Sequence, residues 1–525
     1  MSAARQPPAS PAEVPWLLAE ETCAKQGAAV REAAPVREEA AVREEAPVRE
    51  EAAVREGASV PASAPVPASA SVPASAPVPA SAPVPASAPV PASASVRAAA
   101  PPAPPRDPAS GAEPEDGASP PPPLRGNRDF TRLWGGAGLS LLAGRATTVA
   151  YPIVVLWATG SPSDAGLVGT ALLLPQLLVQ LPGGVLVDRY DRKRIMVLAG
   201  IGQALVGGLV AFLFFSGRPW LWALLGAAFV EGALGVLQQL AERAAVPAVV
   251  PRSQLPTALT GNEARTRGAA IAGQPLGSGL AAAGSALPFG TAAVLHLLAA
   301  LSLSRVRGRL QQERTGPRAH VGAEIREGLV WMWHRPFLRA VMSAVAVTNV
   351  LFQGLNLAVM AAVLDHHGSQ FQVGLILSLS GAGGLVGALS GGWWNTRVSL
   401  RALVLGGLLA WTALMLPVAA VLHQPFALGA LFAASGYVGG VFNVAGGVLI
   451  VRSAPDRMRG RANSLANLVG SGAMALGPVA AGYLLEATDA SRAVLVLGGV
   501  MALTALVACV APGLRTPPED GADAV

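Results

Sequence analysis

Charge is scarce in this sequence: Asp, Glu, Lys and Arg make up only 13% of its 525 residues, against 52% hydrophobic residues. Cysteine is scarcer still. Cys23 lies in a polar stretch and Cys509 in the last apolar run, which excludes a disulfide framework and a thiolate metal site. The one apolar stretch near the start, Pro15 to Ala19, is too short for the core of a signal peptide. No G-x-x-x-x-G-K-[ST] pattern occurs, so ATP-driven pumping would need a partner, and no organic cofactor is called for. His366 and His367 beside Asp365 are the only metal-like cluster and lack further ligands, so no metal is expected.

The charges that do occur fall into three zones. Residues 1–123 carry 9 basic and 15 acidic side chains, residues 124–515 carry 29 and 14, and the last ten carry 0 and 3. The basic residues of the central zone sit in short clusters between long apolar runs, a pattern of membrane orientation and not of nucleic-acid binding.

Residues 1–123 repeat Val-Arg-Glu-Glu-Ala and then Val-Pro-Ala-Ser-Ala-Pro, both at six-residue spacing. Neither block has a face to bury, and the second has a Pro every few residues, so a disordered low-complexity tail is expected. From Phe130 onward, twelve apolar runs of a length that crosses about 30 Å of hydrocarbon follow one another. The fold class expected is an all-α membrane protein of twelve transmembrane helices.

Orientation follows from arginine. The even-numbered connections between runs hold 22 Lys and Arg residues, whereas the odd ones hold only Arg218 and Arg492. The bias predicts both termini in the cytoplasm of a bacterial-type inner membrane, with the lipid bilayer as obligatory partner. The halves also match at an offset of about 205 residues: Arg128 to Arg132 with Arg335 to Arg339, Gly184 to Arg189 with Gly391 to Arg397, and Pro251 and Pro275 with Pro455 and Pro478. A six-plus-six repeat follows, with boundaries at 124–304 for the first bundle, 305–336 for a cytoplasmic linker, 337–512 for the second bundle and 513–525 for a short disordered tail. In such repeats substrate binds between the halves at mid-membrane. Within the linker, Val321, Ile325, Leu329 and Trp333 recur every four residues and predict an interfacial helix.

The stretch after the second run, Gly183-Gly184-Val185-Leu186-Val187-Asp188-Arg189-Tyr190-Asp191-Arg192-Lys193-Arg194, resembles the cytoplasmic signature of the major facilitator superfamily. Within it the region from Phe130 to about Pro512 looks like the branch of macrolide-efflux and enterobactin-exporter-like proteins. The resemblance implies a conformational latch of Gly184, Asp188, Arg189, Arg192 and Lys193, with Arg459 and Arg461 facing them from the second half and Glu242 as a further acid. Asp191 departs from the family's usual Gly, and its tolerance of turn geometry is expected to preserve the loop. The second copy has Asn395 where the first has its acid. Gly273 to Gly279 and Gly477 to Gly482 resemble the antiporter G-P-x-x-G-G motif, with helix bends at Pro275 and Pro478 or plain small-residue packing as the two readings.

Ionisable groups at mid-membrane cost about 2.5–3.5 kcal/mol each on insertion scales and are functional suspects by default. Arg145 and Glu231 are two, and either a switching partnership or a static ion pair between them is open. Asn349, Gln353 and Asn356, on one face of the seventh run, and Asn443 are polar candidates in the second half, for substrate contact or for interhelical hydrogen bonds. The function expected is a monomeric secondary transporter, not an enzyme, driven by a proton gradient and exporting drugs or secondary metabolites. A siderophore-like cargo, nutrient import and a non-transporting scaffold are the alternatives.

Overall fold

The computed structural model describes residues 124–308, 310–311, 326–327, 330–453 and 459–515, whose regular structure is helical throughout. The expected tail 1–123, most of the linker with Val321, Ile325 and Leu329, and residues 516–525 lie outside the described residues. In chain order the helices are α1 (Arg128–Thr159), α2 (Pro162–Leu173), α3 (Pro175–Leu178), α4 (Gln180–Arg189), α5 (Arg192–Phe215), α6 (Leu221–Val249), α7 (Leu255–Ala283) and α8 (Leu287–Ser304). There follow α9 (Pro336–Asp365), α10 (Gln370–Arg397), α11 (Leu400–Met415), α12 (Pro425–Ser453), α13 (Arg459–Met474), α14 (Leu476–Ala487) and α15 (Ala490–Val510).

Local chemistry fixes the helix ends. The Asn127 side chain accepts from the amides of Asp129 and Phe130 at the start of α1, and Gly160, at φ 68°, ends it in the left-handed region that glycine tolerates. Ser369 and Gln372 form a capping box at the start of α10. Asp191 adopts φ −59°, outside left-handed space, and its carboxylate accepts from the amides of Lys193 and Arg194. The acid in the glycine position is thus a helix cap for α5, which corrects the expectation of a tolerated turn residue.

Ten of the described helices are long and apolar enough to cross a membrane, and α2 to α4 make an eleventh if their 54° bend is one broken span. Pro175 and Pro182 each lack the amide a continuous helix would need, which accounts for that bend. Pro275 lies inside α7, which runs unbroken, whereas Pro478 follows directly on the break between α13 and α14. Beyond α15, Pro512–Leu514 forms a 3-10 turn whose Leu514 is buried, inside the stretch expected as a tail.

In the first half, α1, α8, α5 and α6 pack around a closed ring, each touching the next. Leu198, Leu205 and Phe212, seven residues apart on α5, point outward, as a lipid-facing stripe does. The second half is drawn together by glycine. Added Cβ atoms on Gly383 and Gly387 of α10 would overlap the carbonyls of Ala433 and Tyr437 on α12, so these backbones approach as only small residues allow.

Among the described residues the most extensive contacts between the halves form two seams, α2 with α14 and α7 with α10, and α3 also touches α13. In the first, the Val479 amide donates to Thr170 Oγ1 at 3.1 Å, and a Cβ on Gly482 would lie 2.7 Å from the Pro162 carbonyl oxygen. In the second, Gly374 lies against Ser278, and Gly279 against the Phe371 ring. These approaches lie at the arginine-poor end, away from the clusters at Arg189 to Arg194 and at Arg397 and Arg401.

Candidate functional site

Glu231 lies in the middle of α6 with 3% of its surface exposed. Thr147 Oγ1 donates to its Oε1 at 2.6 Å, and the Tyr151 hydroxyl donates to its Oε2 at 2.8 Å. Thr147 and Tyr151 stand four residues apart on α1, hence on one helical face, and together they satisfy both carboxyl oxygens. The acid is held in place inside the first bundle, and among the described residues no cation pairs with it.

Arg145 takes no part in this. It precedes Thr147 by two residues, about 200° around the helix, so the two side chains leave α1 in nearly opposite directions. Its Cβ faces Gly273 of α7, its side chain is exposed, and it forms no hydrogen bond or ion pair among the described residues. The static Arg145–Glu231 pair is therefore not formed, and helix register is the reason.

The polar candidates of the second half separate too. Asn349 Nδ2 donates to the Gly470 carbonyl at 2.9 Å, an interhelical bond from α9 to α13. Asn356 donates to Gln353 Oε1 at 3.2 Å, and both are half-buried on α9. Asn443 is exposed on α12.

The signature loop engages the end of α6 and the stretch that follows α8. Arg192 Nη1 donates to the Ala244 carbonyl at 2.9 Å and to that of Leu310 at 3.0 Å, while Lys193 Nζ donates to the Val306 carbonyl at 2.7 Å. Ala244 lies near the C-terminal end of α6, toward which the helix dipole attracts cations. Glu242 pairs with Arg265 of α7, which also donates to the Trp134 carbonyl at 2.9 Å. Among the described contacts, Arg192, Lys193 and Glu242 thus tie the ends of α5, α6 and α7 to one another and to the stretch after α8. Asp188 and Arg189 are exposed at the end of α4, where the Asp188 carbonyl accepts from Gln311 Nε2 at 3.1 Å. Gly184 has open space beside it, and the side chains of Arg459 and Arg461 lie outside the described residues.

Sequence reasoning missed Thr147 and Tyr151, and with them His296, Gln203 and Gln238, all buried polar groups within apolar helices. The signal was there: they are polar residues at mid-span, found by the same scan that picks out Glu231. Among the described residues no three His, Cys, Asp or Glu side chains are grouped to hold a metal.

Residues 118–524 match the family described as transmembrane secretion effector. The chain belongs to that family of major facilitator transporters. As such it is a multi-pass membrane transporter and not an enzyme. Among relatives of this transporter, the multidrug efflux pump Tap of Mycolicibacterium fortuitum is 27% identical over 405 residues, covering 74% of this chain and 95% of that one. Macrolide efflux protein A of Streptococcus pyogenes is 28% identical over 126 residues, 24% of this chain and 31% of its own. Among solved structures, the nucleoside transporter NupG superposes with TM-score 0.57 at 13% identity, covering 73% of this transporter and 98% of NupG. A bacterial Spinster homologue, inward-facing and unoccupied, gives TM-score 0.56 at 14% identity over 75% of this chain and 96% of its own. These two likenesses concern the fold alone.

Proposed function

We propose that this transporter is a proton-coupled exporter of drugs or related small metabolites, working by alternating access in a bacterial inner membrane. The observation that carries the reading is the buried Glu231, with both carboxyl oxygens hydrogen-bonded to hydroxyls and, among the described residues, no cation paired with it. A mid-membrane acid held this way can take up and release a proton as the halves rock, whereas a permanent ion pair would stay charged. Relatives named as multidrug and macrolide efflux proteins support drugs as the cargo and outward as the direction.

The architecture in this reading is twelve helices in two six-helix halves. The helix beyond those that pass the apolar test is α7, whose Glu263, Arg265 and Arg267 lower its hydropathy. At 29 residues it is about 43 Å long, enough to cross with its charged turns at one surface. The seams lie at the arginine-poor end, and in this reading the arginine-rich end is cytoplasmic along with both termini. In this account Arg145 of the first half and Gln353 and Asn356 of the second are the polar groups offered to substrate between the halves, and Asp188 and Arg189 with Arg459 and Arg461 form the cytoplasmic latch. The protein acts as a monomer in this account.

The test is a drug-sensitive bacterial strain producing the full chain and challenged with a broad compound panel, with and without a protonophore. Raised tolerance to some compounds, lost when the proton gradient collapses, is the expected result. Unchanged tolerance to the whole panel counts against export.

A further inference from the structure

The ring of α1, α8, α5 and α6 is polar where a helix bundle is ordinarily oily. Ser140, Thr147, Gln203, Glu231, Gln238 and His296 all lie on these four helices and are at most 7% exposed. Glu231 and Gln238 are seven residues apart on α6, two turns along one stripe, and Ser140 and Thr147 are likewise seven apart on α1. Ser140 and His296 Nδ1 are 2.9 Å apart, and the Gln203 amide lies against α6 at Gly235, one turn from Glu231. Yet Gln203 Oε1, both amide atoms of Gln238 and His296 Nε2 are buried with no protein partner. Buried polar atoms are nearly always paired, and several unpaired ones within one four-helix ring call for small hydrogen-bonding molecules beside them.

Apolar packing flanks these groups on both sides. Tyr151 meets Phe289 edge-on at 4.8 Å and Phe289 stacks on Phe214 at 5.6 Å on the arginine-poor side. Leu133, Met196 and Leu303, all buried, pack on the other. In the second half, Trp411 of α11 packs against Phe352 of α9 and Phe442 of α12 at 5.4 and 5.2 Å.

We propose that Ser140, Gln203, Gln238 and His296 hold a cluster of water inside the first bundle, and that Glu231 and His296 exchange one proton through it. The inference rests on the proton-coupled reading above. The O–H bond of the Glu231 carboxyl breaks, the proton is handed along the waters, and an N–H bond forms at His296 Nε2. Nδ1 keeps its own hydrogen and donates it to Ser140. A neutral acid and neutral imidazole become a carboxylate and an imidazolium, with no change in net charge, so Glu231 sheds its proton without standing as a lone anion in the bundle. The other ionisable groups on the packed helices lie elsewhere. Asp129 and Arg132 of α1, Arg192 to Arg194 of α5, Glu242 and Arg243 of α6 and Glu263, Arg265 and Arg267 of α7 are at the arginine-rich end. Arg145 points away from the ring, and Tyr151 is bonded to Glu231.

Hydroxyl-radical footprinting of the full chain in lipid nanodiscs tests the water directly, because radicals born from bound water oxidise the side chains that touch it even when they are buried. His296 should be oxidised about fivefold faster than Trp411, although the indole is the more reactive ring. Labelling of His296 no faster than that of Trp411 overturns the water cluster, whatever the protein transports. The proton step is read in proteoliposomes with ethidium as the probe drug. Gln203→Leu with Gln238→Leu, and separately His296→Gln, should each slow pH-gradient-driven movement about tenfold while leaving gradient-free ethidium exchange within about twofold. Gradient-driven rates equal to wild type in these variants overturn the proton step. A wild-type chain that exchanges ethidium but ignores the gradient overturns the coupled reading itself, and leaves the labelling result to stand or fall separately.

Discussion

The hydroxyl of Tyr151 on α1 donates to Glu231 Oε2 on α6 across 2.8 Å of fully buried space. A hydrogen bond to a carboxylate contributes about 1.5–3 kcal/mol, and the buried site offers no bulk water to replace it. Tyr151→Phe should therefore insert normally but slow gradient-driven transport about tenfold or more, as measured by drug flux in proteoliposomes. Flux equal to wild type would mean that Thr147 alone suffices to hold the acid.

The seam between α2 and α14 leads to a second expectation. A side chain on Gly166 would run into the Pro478 carbonyl, so Gly166→Val should prevent the arginine-poor end from closing. Transport should fall at least tenfold, and a cysteine introduced at Thr170 should become reactive to an impermeant maleimide added outside. A Gly166→Val protein whose Thr170→Cys stays protected would remove this seam from the transport cycle.

Glu242 and Arg265 form an ion pair whose side chains are only 14% and 8% exposed. Removing one partner leaves a nearly buried charge uncompensated, at a cost of about 3–5 kcal/mol for such pairs. Arg265 keeps the Trp134 carbonyl, which softens its side of the loss. Glu242→Gln should lower the thermal unfolding midpoint in detergent more than the double variant with Arg265→Gln does. A double variant as unstable as the sum of the two singles would show the pair to be uncoupled.

Membrane helices were legible in the sequence because hydropathy is a local property, and α1, α5 and α15 stand out as apolar runs. The helix α7 was harder, since Glu263, Arg265 and Arg267 crowd one end, and the break in α2 to α4 needed Pro175 and Pro182 to be read together. Glu231 was visible as an acid at mid-span, but its partners were not, because which face of α1 meets α6 is decided by packing among four helices. That Arg145 cannot share a face with Thr147 follows from 100° per residue, yet it carries information only once Thr147 is known to be the partner. The cap at Asp191 was hidden by comparison with a family glycine, whose place it takes by a different mechanism.

The central claim is that Glu231 carries the proton that drives transport, and Glu231→Gln in proteoliposomes tests it most directly. The amide keeps the size and one acceptor of the acid but cannot release a proton. Glu231→Gln should abolish drug movement driven by a pH gradient while substrate exchange, which needs no net proton movement, continues at a rate within about twofold of wild type. Gradient-driven transport persisting at the wild-type rate in Glu231→Gln would contradict the account and assign the coupling to another group.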